Sequence, residues 1–512
     1  MDLVDTVNMK HQNSLMTTQL SHDFETLGRI ALAAVDRRGV EYADVRMTTL
    51  DSESVSASNG HLDGVESETD TGFGIRVLYR GAWGFAASPV FAKSEIERVA
   101  HAALDVARAS YRLSRSPVRL SSRQPVVSDY TTPLRIDPFS VPLPDRIALL
   151  ETATDRAATL EGIQSASASI LAQRHTMQFA SLDGSRIRQT IVLCGGGLSV
   201  TAGQKRDVQT RSFPSSHGGD HGAGGYERIL EMDLPGNARR VAEEALMLLS
   251  APPCPSGAFT VILDGDQLGL QIHESIGHPL ELDRVFGAEA NFSGTSFASP
   301  DQLGSLRYAS DIVSVVTDPT IPGGLGSYGF DDDGTPAQRV ELIRNGILVG
   351  FLSGRETASR IGALSSANNR AAGWRHVPIN RMSNTVLLPG TWSLDDLLAD
   401  TGSGLFLTTN RSWSIDDRRE SFRFECEAAY EISGGKLGQM YRNPVYTGRT
   451  VDFWNRCDAI CNETHFKLWG TPNCGKGEPS QSIFTSQGAC PARFRNVAVE
   501  SSAGKSRGHG GG

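Results

Sequence analysis

Two-residue turns ending in glycine recur along this chain between stretches of alternating apolar and polar residues: Asn59-Gly60, Arg80-Gly81, Asp183-Gly184, Asn345-Gly346 and Gly434-Gly435. Glycine tolerates the positive φ that a tight hairpin turn requires, so each pair predicts two adjacent antiparallel strands. Helical periods lie between these groups. Leu27, Ile30, Leu32, Ala33 and Val35 form an apolar stripe over 21–38 before Gly39, and further helices are expected over 93–109, from Asp145 to Leu160, and after the Gly-rich run 213–226 as far as Leu249. The Pro- and Ser-rich stretch 114–144 reads as a long surface connection. Strands and helices are thus grouped rather than strictly alternating, which favours an α+β fold with largely antiparallel sheets and flanking helices.

The prolines of SAPPCPSG, residues 250–257, can continue neither a helix nor a central strand. They divide the chain into two expected domains, 21–249 and 258–500. A loose leader over 1–20 and a disordered tail over 501–512 complete the division.

Composition narrows the function. A formal charge of −9 argues against a nucleic-acid surface, which needs clustered Lys and Arg. No apolar run approaches the ~18 residues of a membrane span. The first residues carry early acids and no apolar core of a secretory signal, and seven cysteines is a low, odd number for a disulfide framework. A cytoplasmic enzyme or binding protein acting on peptides or small molecules fits these limits.

The segment QIHESIGHPLELDR, 271–284, carries the chemistry. His273 and His278 stand five residues apart, which on a regular α-helix separates them by about 140° around the axis. A turn closed between residues i and i+5 would restore a shared face, and such widened turns concentrate at functional sites. Gly277 adds backbone freedom, and Pro279 disfavours the α conformation at His278. Two imidazoles meeting one ion would need a third protein ligand, and Glu274 between them would serve as general base. The plainer alternative makes both histidines packing residues and pairs Glu274 with Arg284. By spacing alone Cys457, Cys461, Cys474, Cys490 or His465 could supply the third ligand. His217 and His221 in HGGDH read as solvated turn residues, and Asp331-Asp332-Asp333-Gly334 as a turn.

HESIGHPLELDRVFGAEANFSGTSF resembles the metallopeptidase motif of the TldD/PmbA family, in its TldD-like, metal-bearing branch. YADVR (42–46), GFGIRVLYRGAWGFA (72–86), SYGFDDDGTPAQRVELIRNGILVGFLSGRETASRIG (327–362), RHVPINRMSNTVLLPG (375–390) and NCGKGEPSQ (473–481) resemble that family in the same order. The resemblance implies one zinc ion per active subunit on His273, His278 and Cys474, with Glu274 as catalytic base. It further implies a homodimer, or a heterodimer with a metal-free relative, enclosing a site for unfolded or short peptides. Arg375, His376 and Arg381 are candidate substrate contacts. The alternatives are an amide-cleaving tailoring enzyme of a biosynthetic pathway and a non-catalytic scaffolding subunit.

Overall fold

The computed structural model describes residues 24–502 apart from Arg115, Lys205 and Arg206. The expected leader lies outside them, as does the expected tail beyond Ser502; Ser501 itself ends a strand.

The N-terminal half is built on one eight-stranded sheet. Val40–Ser58 and His61–Tyr79 turn at Asn59-Gly60, where φ is +52° and +80°, and Ala82–Ser88 follows across Arg80-Gly81. Ile163–Ser181 pairs with Val40–Ser58 and, across Asp183-Gly184, with Arg186–Gln204. The long strands bury opposite residue sets at period two. Val45, Met47 and Val55 face helices: the helix over 24–35 and Lys93–Leu113 cover one end, Leu143–Ala158 and Leu234–Ser250 the other. Arg46 and Thr48 point to the opposite face, toward the C-terminal half.

One sequence expectation changes here. Within the supposed surface connection, Val127–Thr131 is a strand pairing in parallel with Arg186–Gln204; its short polar alternation at a sheet edge carries little apolar signal. The proline cluster 250–257 is tied down, because the Cys254 N–H donates to the Arg442 carbonyl and the Arg442 N–H to Pro252, each at 3.0 Å.

In the C-terminal half, strands Ser403–Ile415, Gly257–Leu263, Ala492–Ser501, Pro444–Arg449 and Ser421–Ser433 pair in sequence, and the last returns to the first, closing a ring. Phe422, Phe424, Tyr446, Phe453 and Phe494 form an aromatic cluster in its core. A second, six-stranded sheet ends at the edge strand Lys467–Lys476. The helix Gly265–Ile272 leaves the ring strand Gly257–Leu263 through an Asp264 cap and leads into the histidine motif. Asp332 and Asp333 join the halves: Arg46 reaches Asp332 at 2.7 Å, and Arg76 reaches Asp333 at 2.8 Å.

Candidate metal centre

The chain widens by one residue at His273–Gly277, where the N–H of His278 donates to the carbonyl of His273. This i to i+5 turn is the one that the histidine spacing requires. Core packing enforces it. Ile276 and Leu280 are buried in the C-terminal core, the Ser275 hydroxyl accepts from Trp454 Nε1 at 2.9 Å, and its carbonyl accepts from Tyr308 at 2.5 Å. Gly277 leaves room for the buried Met382, because a Cβ there would stand 2.0 Å from its Sδ and the methionine would have to shift. The two imidazoles consequently lie 4.8 Å apart between ring centres, at 87°.

Cys474 comes from the edge strand, just beyond a bulge that begins after Thr471. Its Sγ lies 3.3 Å from His273 Nε2 and 3.5 Å from His278 Nε2, and all three residues are buried. Burial alone would raise the Cys474 thiol, but His273, Arg381 and His278 outweigh it and hold the thiol well below its ordinary range. For His278, burial lowers the imidazole, yet Cys474 and Glu281 bring it up to about 9. A thiolate facing two Nε2 atoms is a donor set that suits zinc. This is the one such trio of His, Cys, Asp or Glu among the described residues. Burial pushes the thiols of Cys461 and Cys490 up to about 12, and that of Cys457 higher still.

Supporting side chains fix this geometry. The Glu281 carboxylate, fully buried, stands 2.9 Å from His278 Nδ1, which turns Nε2 toward Cys474. Lys476, two residues after the cysteine, reaches Glu281 at 3.3 Å and Asp283 at 2.6 Å, tying the edge strand to the motif. Arg381 is also fully buried and donates to the Cys474 carbonyl at 2.5 Å, so its contact is with the backbone of Cys474 itself. His273 Nδ1 has no partner among the described residues.

Glu274 pairs with Arg419 at 2.5 Å, whereas Arg284 bonds Ser293 and approaches Glu289. Burial would raise the Glu274 carboxyl, but the charges of His278, His273 and Arg419 outweigh it and hold the group below its ordinary value. It is an ionised acceptor beside the trio. Arg419 occupies a left-handed position (φ +62°) in the connection between Ser403–Ile415 and Ser421–Ser433, 145 residues away, and no local pattern announces it.

The trio opens on a cleft of about 330 Å³. Trp413 and Trp469 line it, and so do Ser216 and His217 of the N-terminal Gly-rich loop. His221 is buried in the strand Asp220–Ala223 and is not a solvated turn residue; His217 is one, exposed in a bend at φ +57°, with its ring edge-on to Trp413 at 5.2 Å. Arg375 pairs with Asp70 at the surface, and the His376 carbonyl accepts from Arg46; neither residue lines the cleft.

Three family models match the chain: PmbA/TldA metallopeptidase domain 1 over 43–107, the central domain over 136–249, and the C-terminal domain over 256–501. A metalloprotease of Methanocaldococcus jannaschii is 33% identical over 86% of this chain and 94% of its own length. A zinc metalloprotease TldD homolog of Saccharolobus solfataricus is 22% identical over 83% of this chain and 90% of its own. Among solved structures, a Thermotoga maritima protein described as a modulator of DNA gyrase shares the fold at a TM-score of 0.73 and 17% identity, covering 93% of this chain and all of its own.

Proposed function

The chain belongs to the TldD/PmbA family of metallopeptidases, and from that premise we propose that it hydrolyses peptide bonds of unfolded or short peptides with one zinc ion on His273, His278 and Cys474. The observation that carries the reading is the convergence of Cys474 Sγ and two imidazole Nε2 atoms in one cleft with the Glu274 carboxylate. Zinc bound there supplies a Lewis acid for the scissile carbonyl and acidifies a water molecule.

The protein's own groups do the rest. Glu274 accepts the proton of the attacking water and returns it to the departing amine. Arg419 holds one Glu274 oxygen, which fixes the carboxylate's orientation. Glu281 keeps His278 presenting Nε2. The strand Lys467–Lys476 is a sheet edge, and beyond Gly470 an extended substrate can pair with it through main-chain hydrogen bonds that do not depend on sequence. A second copy, or a metal-free relative, closing over the cleft would admit only extended chain.

Glu274→Gln tests the mechanism with an unfolded polypeptide as substrate. Zinc content is expected to stay unchanged while turnover falls by about 10²–10⁴. Near-normal cleavage by the zinc-loaded variant would sink the mechanism.

A further inference from the structure

The cleft runs along one face of the motif helix. Asp266, Gly269, Leu270, His273 and Glu274 all line it, at the i, i+3, i+4, i+7 and i+8 positions of one helical stripe. Seven residues at 1.5 Å each put Asp266 about 10 Å from His273 along the axis, or about three residues of extended peptide.

Asp266 is 93% buried by its 7% exposure, yet it lines a polar cleft. The amides of Gln267 and Thr409 donate to one of its oxygens, at 2.6 and 3.2 Å. Among the described residues no cation pairs with it. Arg211, whose charge acts on it, is committed to Glu244 and Glu427 at 2.8 and 3.1 Å, and Lys467, whose charge acts on the neighbouring Asp264, to Asp220 at 3.1 Å. Asp264 adds a second carboxylate at the same end. Trp469 packs across the helix here, since a Cβ on Gly265 would stand 3.0 Å from its Nε1, and so walls the position beside Asp266. A buried carboxylate without a counter-ion is costly. An incoming cation would relieve that cost.

We propose that Asp266 forms a subsite for an ammonium or guanidinium group of the substrate, about three residues from the scissile bond. The group is either a Lys or Arg side chain or the peptide's own α-amino group. The assignment rests on the peptidase reading above and adds a charge preference to it.

The test uses unstructured decapeptides with a fluorophore at the C-terminus. They carry lysine, its neutral isostere norleucine, or glutamate at successive positions, with the N-terminus free or acetylated. Binding is read by fluorescence polarisation on zinc-loaded Glu274→Gln and on Glu274→Gln/Asp266→Asn. At one position lysine should bind about 30-fold tighter than norleucine, with glutamate weakest. If the α-amino group is the ligand, acetylation should produce the same loss. In the Asp266→Asn background the preference should fall to about threefold or less, while the neutral peptide binds as before, which also shows that the variant is folded. If that variant does not fold, the lysine, norleucine and glutamate ranking on the parent decides. Equal binding of all peptides to the parent overturns the subsite, as does a preference that survives Asp266→Asn. Cleavage of the same peptides by the unsubstituted enzyme separates the two ideas: neutral peptides cut without charge preference overturn the subsite alone, and no peptide cut or bound overturns both readings.

Discussion

Glu281 stands three residues beyond His278, one helical turn on, and its carboxylate orients that imidazole while Lys476 anchors it from the strand that carries Cys474. Glu281→Gln removes the charge but leaves the shape. Carboxylates behind ligating histidines typically contribute 10–100-fold to metal affinity, so zinc competition against a chelator should show about that loss with the fold intact. Unchanged affinity would mean that packing alone orients His278. At this scale the sequence was partly readable. The five-residue spacing, Gly277 and Pro279 argued for a shared face by themselves. By spacing Cys474 is one of several equal thiols, and the family resemblance singles it out, because the side-chain contact between it and His273 spans 201 residues. Arg419 and His217 arrive by the same kind of long-range contact, and spacing along the chain says nothing about those.

At the scale of elements, the widened turn is held by its neighbours rather than by local preference. A methyl group on Gly277 must displace the buried Met382, so Gly277→Ala should cost about 1–3 kcal/mol in chemical denaturation and weaken zinc binding with it. Adding Met382→Ala should recover part of the metal affinity, since the obstructing sulfur is gone. No recovery would show that the turn itself rejects alanine. The hairpins read most easily because their turns are chemical: Asn345 and Gly346 take φ of +47° and +77°, Gly434 and Gly435 +57° and +75°. The strand Val127–Thr131 carries no such signal, because a parallel edge partner needs neither a turn signal nor an apolar run.

Across the whole molecule, the long N-terminal strands use one face for their helices and the other for the catalytic half, and buried ion pairs bind the two. Arg76 holds Asp44 at 2.5 Å and Asp333 at 2.8 Å. Asp333→Asn leaves part of that guanidinium unpaired in a buried place and should cost about 2–3 kcal/mol at pH 7. Burial would raise the Asp333 carboxyl, but Arg76 holds it below its ordinary value. A carboxyl whose pKa is depressed by folding stabilises above its unfolded pKa, so the gap between parent and variant should persist at neutral pH. It should shrink only as acid titrates the group below the usual aspartate range. A gap that vanished near pH 6 would assign the stabilisation to another group. The joint between the halves also completes the cleft, because Ser216 and His217 of the N-terminal half line it together with the trio.

The proposed centre is one zinc ion held by one sulfur and two nitrogens, and X-ray absorption at the zinc edge reads that environment directly. The unsubstituted protein should give one Zn–S distance near ~2.3 Å and Zn–N distances near ~2.0–2.1 Å, and Cys474→Ser should lose the sulfur shell together with most of its zinc. Stoichiometric zinc with its sulfur shell intact in Cys474→Ser would contradict the account and move the centre to another cysteine.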